Sequence, residues 1–264
     1  MTFQKKLKQL QYEQRVKPDK ILTMYLNTDR SDQDQQGGEW EIALKNGFNR
    51  LEQYLEASST EELRNLQQIR EKVEPYVLSM KRNLPRSIIL FATADESLWE
   101  VFELQVPVDT YFFWEEQPML DQLVALHENY PSTALVLMQQ NQAKIIETSF
   151  GTLHNTETYE FDLDDENWRI HAGPQPSSIS NGASATQQDH VDNRVKVHQQ
   201  RWWKSFGSML DQIAAKQNWE RIMLVGDREG TDFLEESMNK KVHKKIQKNL
   251  LNENEHKVLK ELVG

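Results

Sequence analysis

The chain has 264 residues, no cysteine and a formal net charge of −10. That length suits one large domain or two ordinary ones, and 38% hydrophobic with 27% charged residues is typical of a globular protein. The lack of cysteine excludes disulfides, thiolate catalysis and cysteine-ligated zinc. The negative net charge argues against indiscriminate binding to nucleic acid.

The N-terminus and the apolar runs give no sign of export or membrane insertion. The segment MTFQKKLKQLQYEQRVKPDK has basic residues but no apolar core after them, so it is not a signal peptide. The longest apolar runs, IILFA and ALVLM, have the length of strands and are too short to span a bilayer. We therefore expect a cytoplasmic protein with no membrane or DNA partner, no cofactor and no bound metal.

The first half of the chain alternates strand and helix patterns. A β-branched and aromatic segment at 20–28 predicts a strand, and apolar residues at helical spacing over 40–55 predict a helix. Ser59 with Glu62 three residues later predicts the start of a second helix, which runs to about Met80. The next predicted elements are strands at 87–93, 99–105 and 110–114, and a helix at 118–127.

The second half begins at Pro131, and we predict one domain over 1–130 and another over 131–264. Strands at 134–139 and 143–149 form a predicted hairpin, and a third strand follows at 156–161. The segment 172–188, rich in Gly, Pro, Ser, Ala and Gln, predicts a long loop. After it we expect a long helix at 191–217, a strand at 221–225, a helix at 231–247 and a short helix at 253–262.

The order of these elements predicts the fold class. Three consecutive strands followed by helix, strand and helix favour a mixed sheet flanked by helices, as in ribonuclease-H-like domains. The sequence therefore predicts an α/β protein of two domains, an N-terminal α/β sandwich and a ribonuclease-H-like mixed-sheet domain.

Acidic and histidine side chains do not form a recognisable metal site. A two-metal nuclease needs carboxylates that converge from several strand ends. The four acids of 162–166 are close together in the sequence, so their side chains diverge rather than converge. Asp227 and Glu229, which follow the 221–225 strand, are better explained as charges at a helix N-terminus. The histidines of and beyond the long loop are interpreted as surface residues rather than zinc ligands; they are His171, His190 and His198.

Basic side chains concentrate on the predicted helices of the second half. Lysines at i and i+4 repel each other, so such a face is typical of a phosphate contact, although a solvated face is the simpler interpretation. Trp202, Phe206, Leu210 and Ile213 are spaced like a buried stripe, which leaves Trp203 outside it. The candidate RNA-binding residues are Arg194, Arg201, Lys204, Lys240, Lys241, Lys244 and Lys245.

Several segments of the chain resemble those of a known protein family. The strand ILTMYLNT and the helix WEIALKNGFNRLEQYLE are similar to the start of archaeo-eukaryotic class I peptide-chain release factors and the related Pelota proteins. The run VPVDTYFFWEEQPMLDQLVALHENYPSTALVLMQQNQAKIIETSFGTLHNTETYEFDL is similar to their passage from domain one to domain two, and VDNRVKVHQQRWWKSFGSMLDQIAAK, RIMLVGD and TDFLEESMNK follow. The resemblance is stronger to bacterial release-factor-like proteins, and it corresponds to domains one and two only.

The resemblance implies a ribosome- or tRNA-associated factor in translation termination, rescue or quality control. In the release factors, the loop before the long helix carries a Gly-Gly-Gln tip that helps water to cleave peptidyl-tRNA. The nearest match here, Gly173–Pro174–Gln175, implies Gly173 and Gln175 as the catalytic residues of a peptidyl-tRNA hydrolase-like enzyme, with Pro174 in place of a glycine N–H. Pelota-like members lack the tip and act in ribosome rescue without cleaving the ester. The alternative is a protein-interaction module that kept the fold without RNA binding or catalysis. In that case the partner would be a protein.

Overall fold

A computed structural model describes residues 3–31, 37–140, 142–162, 167–171 and 188–263. From 161 to 200 only the backbone of the helical and strand residues is described. Contacts within the chain divide it into two units, Met1–Asn129 and Tyr130–Gly264. Each unit has its own sheet and its own buried core, and each is described by itself.

The first unit is built on a four-stranded antiparallel sheet in the order β3-β2-β1-β4. Its strands are β1 (Ile21–Asn27), β2 (Ser87–Ala92), β3 (Trp99–Leu104) and β4 (Tyr111–Glu115). Its helices are α1 (Phe3–Tyr12), α2 (Glu39–Glu56), α3 (Thr60–Ser79) and α4 (Asp121–Asn129).

Both faces of this sheet are covered by helices. Alternate side chains of β1 and β2, such as Met24 and Leu90, form one buried cluster with apolar residues of α2 and α3. On the opposite face, Phe3 of α1 lies edge-on to Phe102 of β3 at 5.8 Å between ring centroids. Phe3 also lies 4.4 Å from the ring of His127 in α4. The N-terminal α/β sandwich expected from the sequence is confirmed, and α1 is an element that was not predicted.

The start of α3 carries the predicted cap and a buried ionic contact. The hydroxyl of Ser59 accepts the backbone N–H of Glu62 at 3.3 Å. The Glu62 carboxylate is buried; it lies 3.1 Å from the Lys20 ammonium and accepts the Trp114 indole N–H at 3.0 Å. These contacts connect α3 to the segment before β1 and to the edge strand β4.

The second unit is built on a six-stranded mixed sheet in the order β10-β9-β5-β6-β7-β8. Strands β5 to β8 pair antiparallel in sequence order, whereas β9 and β10 run parallel to β5. The strands are β5 (Thr133–Gln139), β6 (Gln142–Ser149), β7 (Thr152–Asp162), β8 (Asn167–His171), β9 (Arg221–Val225) and β10 (Lys244–Ile246). This arrangement confirms the ribonuclease-H-like mixed sheet, with β8 as an unpredicted strand beyond β7.

Three helices and the C-terminal segment cover the second sheet. The helices are α5 (Gln188–Gln217), α6 (Arg228–Ser237) and α7 (Glu255–Leu262). One buried cluster joins β5, β6 and β9 to α5 and α6, and a second joins the opposite face to α7 and to Leu250 and Leu251. Within the described part of the chain, no helix is both long enough and apolar enough to cross a membrane.

Candidate RNA-contact surface

Helix α5 is held against the second sheet by an apolar stripe. Trp203, Phe206, Leu210 and Ala214 follow one another at spacings of three or four residues, and all are buried in one cluster with β5, β6 and β9. At Gly207 an added Cβ would lie 2.9 Å from the Ser237 carbonyl oxygen, so α5 approaches the end of α6 closely. The packing fixes which side of α5 remains exposed.

The predicted core stripe of α5 was partly wrong. Trp203, which was placed outside the stripe, is 4% exposed and lies edge-on to Phe206 at 5.9 Å. Trp202 is also buried, whereas Ile213 is only partly buried at the margin of the cluster.

The exposed side of α5 presents two of the predicted RNA-binding residues. Arg201 and Lys204 are both exposed and lie one helical turn apart. Arg194 belongs to the same helix, but its side chain lies outside the described part. Two cations therefore face away from the sheet in the first described turn of α5.

The predicted helix at 231–247 is confirmed only in its first part, and its lysine-rich second part was wrong. Helix α6 ends at Ser237, and Met238 adopts an extended backbone. The Asp211 carboxylate of α5 then accepts the backbone N–H groups of Asn239 and Lys240 at 2.7 and 2.9 Å. A helix through the lysines would place like charges at i and i+4, whereas the observed path satisfies two backbone donors with one charged acceptor.

Asp211 also brings separated parts of the sequence together. It lies seven residues after Lys204, which corresponds to about 10 Å along the axis on nearly the same side of α5. The exposed Lys240 and Lys241 follow directly from its hydrogen bonds. We call the four residues Arg201, Lys204, Lys240 and Lys241 the basic surface.

Lys244 and Lys245 do not join the basic surface through a common helix face, because both lie on strand β10. Lys245 pairs with Leu224 of β9, so it shares the face of the sheet that α6 covers. Its ammonium lies 2.6 Å from both the Asp232 and the Glu235 carboxylates of α6. The hydrogen bond to Asp232, followed by that to Glu235, raises the pKa of Lys245, so its charge is already compensated within the protein.

Lys244 lies on the other face of the sheet. It pairs with Met223, which contacts the cluster covered by α7. The structure therefore divides the predicted lysine group into three: Lys240 and Lys241 beside α5, Lys245 against α6, and Lys244 on the α7 side.

The predicted catalytic residues Gly173 and Gln175 lie outside the described residues. The side chains of His171, His190 and His198 do so as well, although their backbones belong to β8 and α5. The segment that contains Gly173 and Gln175 precedes α5, which begins at Gln188, so Arg201 and Lys204 of the basic surface lie on the helix that follows this segment.

Asp227 has a structural role at the start of α6. Its carboxylate accepts the backbone N–H of Gly230 at 2.8 Å and caps the helix that follows β9. Among the described side chains, no group of three or more histidine, aspartate or glutamate residues is placed to hold a metal ion. Asp227 therefore acts here as a helix cap.

The model of bacterial archaeo-eukaryotic release factor family 5 matches residues 131–264. Over 263 residues the chain is 47% identical to YocB of Bacillus subtilis (strain 168), an uncharacterized protein, with 100% of this chain and 99% of that protein covered.

Two solved structures are also similar. One is described as an archaeal protein, with 15% identity, a TM-score of 0.32, and coverage of 98% of this chain and 70% of that one. The other is the archaeal translation termination factor aRF1, with 13% identity, a TM-score of 0.32, and coverage of 98% and 71%. Identities and TM-scores this low add nothing to the match with the family.

Proposed function

Because the chain belongs to bacterial archaeo-eukaryotic release factor family 5, we propose that it is a ribosome- or tRNA-associated factor that acts in translation termination, rescue or quality control. The observation that carries this proposal is the match of the family's model to residues 131–264. That region contains both the segment with Gly173 and Gln175 and the helix that follows it.

The basic surface supports a contact with RNA. Its four cations are exposed, and for Arg201, Lys204, Lys240 and Lys241 the described contacts include no ion pair. Lys245, by contrast, is held by two carboxylates and has less charge to offer to a phosphate. In a chain of net charge −10, four exposed cations on α5 and in the segment bonded to Asp211 of α5 give a local attraction for phosphate that the whole protein lacks.

The salt dependence of ribosome and tRNA binding tests this contact. We would measure dissociation constants of fluorescently labelled protein between about 50 and 200 mM salt, since each phosphate contact adds roughly 0.7–0.9 to the logarithmic slope. The variant Lys204/Lys240/Lys241→Glu should reduce that slope by about 2 to 3. Its matched control is Lys244/Lys257/Lys260→Glu, which reverses as many exposed lysines in the same unit away from the basic surface.

We expect Lys204/Lys240/Lys241→Glu to weaken binding and Lys244/Lys257/Lys260→Glu to leave it nearly unchanged. Equal loss of binding in both would show that only total charge matters and would contradict a defined basic surface. No binding by the unmodified protein at any salt concentration would remove the proposal and favour the alternative, a protein-interaction module that uses no RNA.

Hydrolysis of peptidyl-tRNA is a separate part of the proposal. If Gln175 positions the attacking water, ribosomes that carry labelled peptidyl-tRNA should release the peptide with the unmodified protein and not with Gln175→Ala. Gly173→Ala should lower release as well, whereas ribosome binding should stay within about twofold in both variants because neither change alters a charge. Binding without release by the unmodified protein would place the chain with the rescue factors that leave the ester intact.

A further inference from the structure

Strand β4 is one edge of the sheet in the first unit. It pairs with β1 on its inner side, and among the described residues no strand pairs with its outer side. Successive residues of a strand direct their backbone N–H and C=O groups to alternate sides, so the outer side of β4 retains donors and acceptors for a further strand. The opposite edge, β3, carries Glu100 and Glu103, and charged side chains of this kind keep an edge from pairing. The charged residue of β4 is Glu115, at its end.

Two stacked aromatic rings accompany this edge. Tyr111 is 50% exposed, and its ring is stacked on that of Phe113 at 5.9 Å between the centroids. Phe113 is itself half-buried. The alternate residues Phe112 and Trp114 point to the other face of the sheet and are buried in the cluster with α2 and α3. The outer edge of β4 therefore combines unused backbone groups with a partly exposed aromatic surface.

The sequence of β4 is complementary to a second copy of itself. When two copies pair antiparallel about a two-fold axis at Phe113, Tyr111 of each copy lies opposite Glu115 of the other. At both ends of this ladder the tyrosine hydroxyl can donate to the carboxylate. Between the ends, aromatic residues lie opposite aromatic residues, and such cross-strand pairs stabilise a sheet.

The neighbouring symmetric registers are less favourable. An axis at Phe112 would place Asp109 of one copy opposite Glu115 of the other, and like charges directly opposite each other destabilise a sheet. An axis at Trp114 would place Glu115 opposite Phe113, so that a carboxylate would face an aromatic ring. The charges of this segment therefore select the register about Phe113.

From the open edge, the exposed aromatic pair and this match of side chains, we propose that the protein forms a symmetric dimer through β4. The four-stranded sheets of two copies then join into one continuous sheet. The partner at this edge is a second copy of the chain. The interface belongs to the first unit and does not rest on the RNA contact proposed for the second.

Sedimentation equilibrium of the full-length protein between about 1 and 100 μM tests the dimer and gives its dissociation constant. Tyr111→Glu places two carboxylates opposite each other at each end of the ladder and should weaken the dimer roughly tenfold. Tyr111→Glu/Glu115→Lys places opposite charges there and should restore the dimer, which also shows that the substituted chain folds. The matched control is Trp99→Glu on the other edge strand, β3, where the side chain is 36% exposed; it should leave the dimer unchanged.

Disulfide formation tests the register, because the chain has no cysteine of its own. Opposite positions of antiparallel strands have their Cβ atoms about 5 Å apart, whereas four residues along a strand span about 14 Å. In a mixture of Tyr111→Cys and Glu115→Cys proteins, cross-links between the two variants should therefore form faster than cross-links of either variant with itself.

Three results would overturn the proposal. The first is a protein that stays monomeric at about 100 μM, which would leave the β4 edge to a strand of a different protein. The second is a dimer that Tyr111→Glu leaves intact, and the third is equal cross-linking in all three combinations of the cysteine variants. Because ribosome binding is measured separately, failure here leaves the proposed function untouched.

Discussion

The buried pair of Lys20 and Glu62 gives a quantitative test of how the first unit is stabilised. The Glu62 side chain is 6% exposed and that of Lys20 is 12% exposed, so removal of one charge leaves the other poorly hydrated. Breaking a buried ion pair costs about 3–5 kcal/mol, and we expect Glu62→Gln to fall near the lower limit of about 3 kcal/mol. The glutamine oxygen can still accept the Trp114 indole N–H, which now bonds Glu62 at 3.0 Å.

The pair should be strongly coupled in a double-mutant cycle. Lys20→Met should likewise destabilise the unit by about 3 kcal/mol, because Glu62 keeps the Trp114 donor but loses its counter-ion. The double variant Lys20→Met/Glu62→Gln contains no stranded charge. Its cost should therefore be lower than the sum of the two single changes by at least about 2 kcal/mol.

These changes in stability can be assigned to the first unit by hydrogen exchange. The exchange of peptides from β1 and β2 would be measured by mass spectrometry in a urea series. The matched control is the exposed pair Lys72–Glu96, whose side chains are 44% and 65% exposed. The corresponding cycle, Lys72→Met and Glu96→Gln, should show coupling below about 1 kcal/mol. Additive effects within about 0.5 kcal/mol at Lys20 and Glu62 would refute the view that Glu62 compensates a buried charge.

Three further changes have defined outcomes. Gly207→Val should lower the unfolding free energy of the second unit by about 1–3 kcal/mol, because even a Cβ would lie 2.9 Å from the Ser237 carbonyl oxygen; urea unfolding measures it. Asp227→Ala should destabilise α6 by about 1 kcal/mol in the same assay, whereas Asp227→Asn keeps a capping oxygen and should change little; a large loss in both would contradict the capping role. Hydrogen bonds from Thr93 and then Ser97 lower the pKa of Asp95 to about 2, so its stabilising contribution is present above pH 4 and is lost as the pH falls towards 2. Asp95→Asn should therefore show a smaller loss of stability between pH 5 and pH 2 than the unmodified chain, and an unchanged loss would contradict this linkage.

The strands and the main helices could be predicted because their apolar patterns are local. In α3, Ser59 with Glu62 marked the first turn, and the structure confirms the cap. Helix α1 carries a similar signal, since Phe3, Leu7 and Leu10 lie at helical spacing and Leu10 is buried. The apolar pattern of α1 is short and is interrupted by lysine and glutamine, so it is too weak to predict a helix by itself.

The lysine segment could not be predicted from its own sequence. Val242 and Ile246 are four residues apart, which imitates a helical stripe, yet they contact the clusters on opposite faces of the sheet. Their separation depends on pairing with β9 and on the hydrogen bonds of Lys240 with Asp211, a residue 29 positions earlier. The basic surface is therefore a tertiary feature, whereas the exposure of Arg201 and Lys204 follows from the periodicity of α5.

The most direct test of the central claim is co-sedimentation of the purified protein with ribosomes of Bacillus subtilis, the source of its 47% identical relative. We predict that the protein pellets with ribosomes at low salt and is released as salt increases. Lys204/Lys240/Lys241→Glu should remain in the supernatant, whereas Lys244/Lys257/Lys260→Glu should still pellet. Failure of the unmodified protein to pellet at any salt concentration would contradict its association with the ribosome.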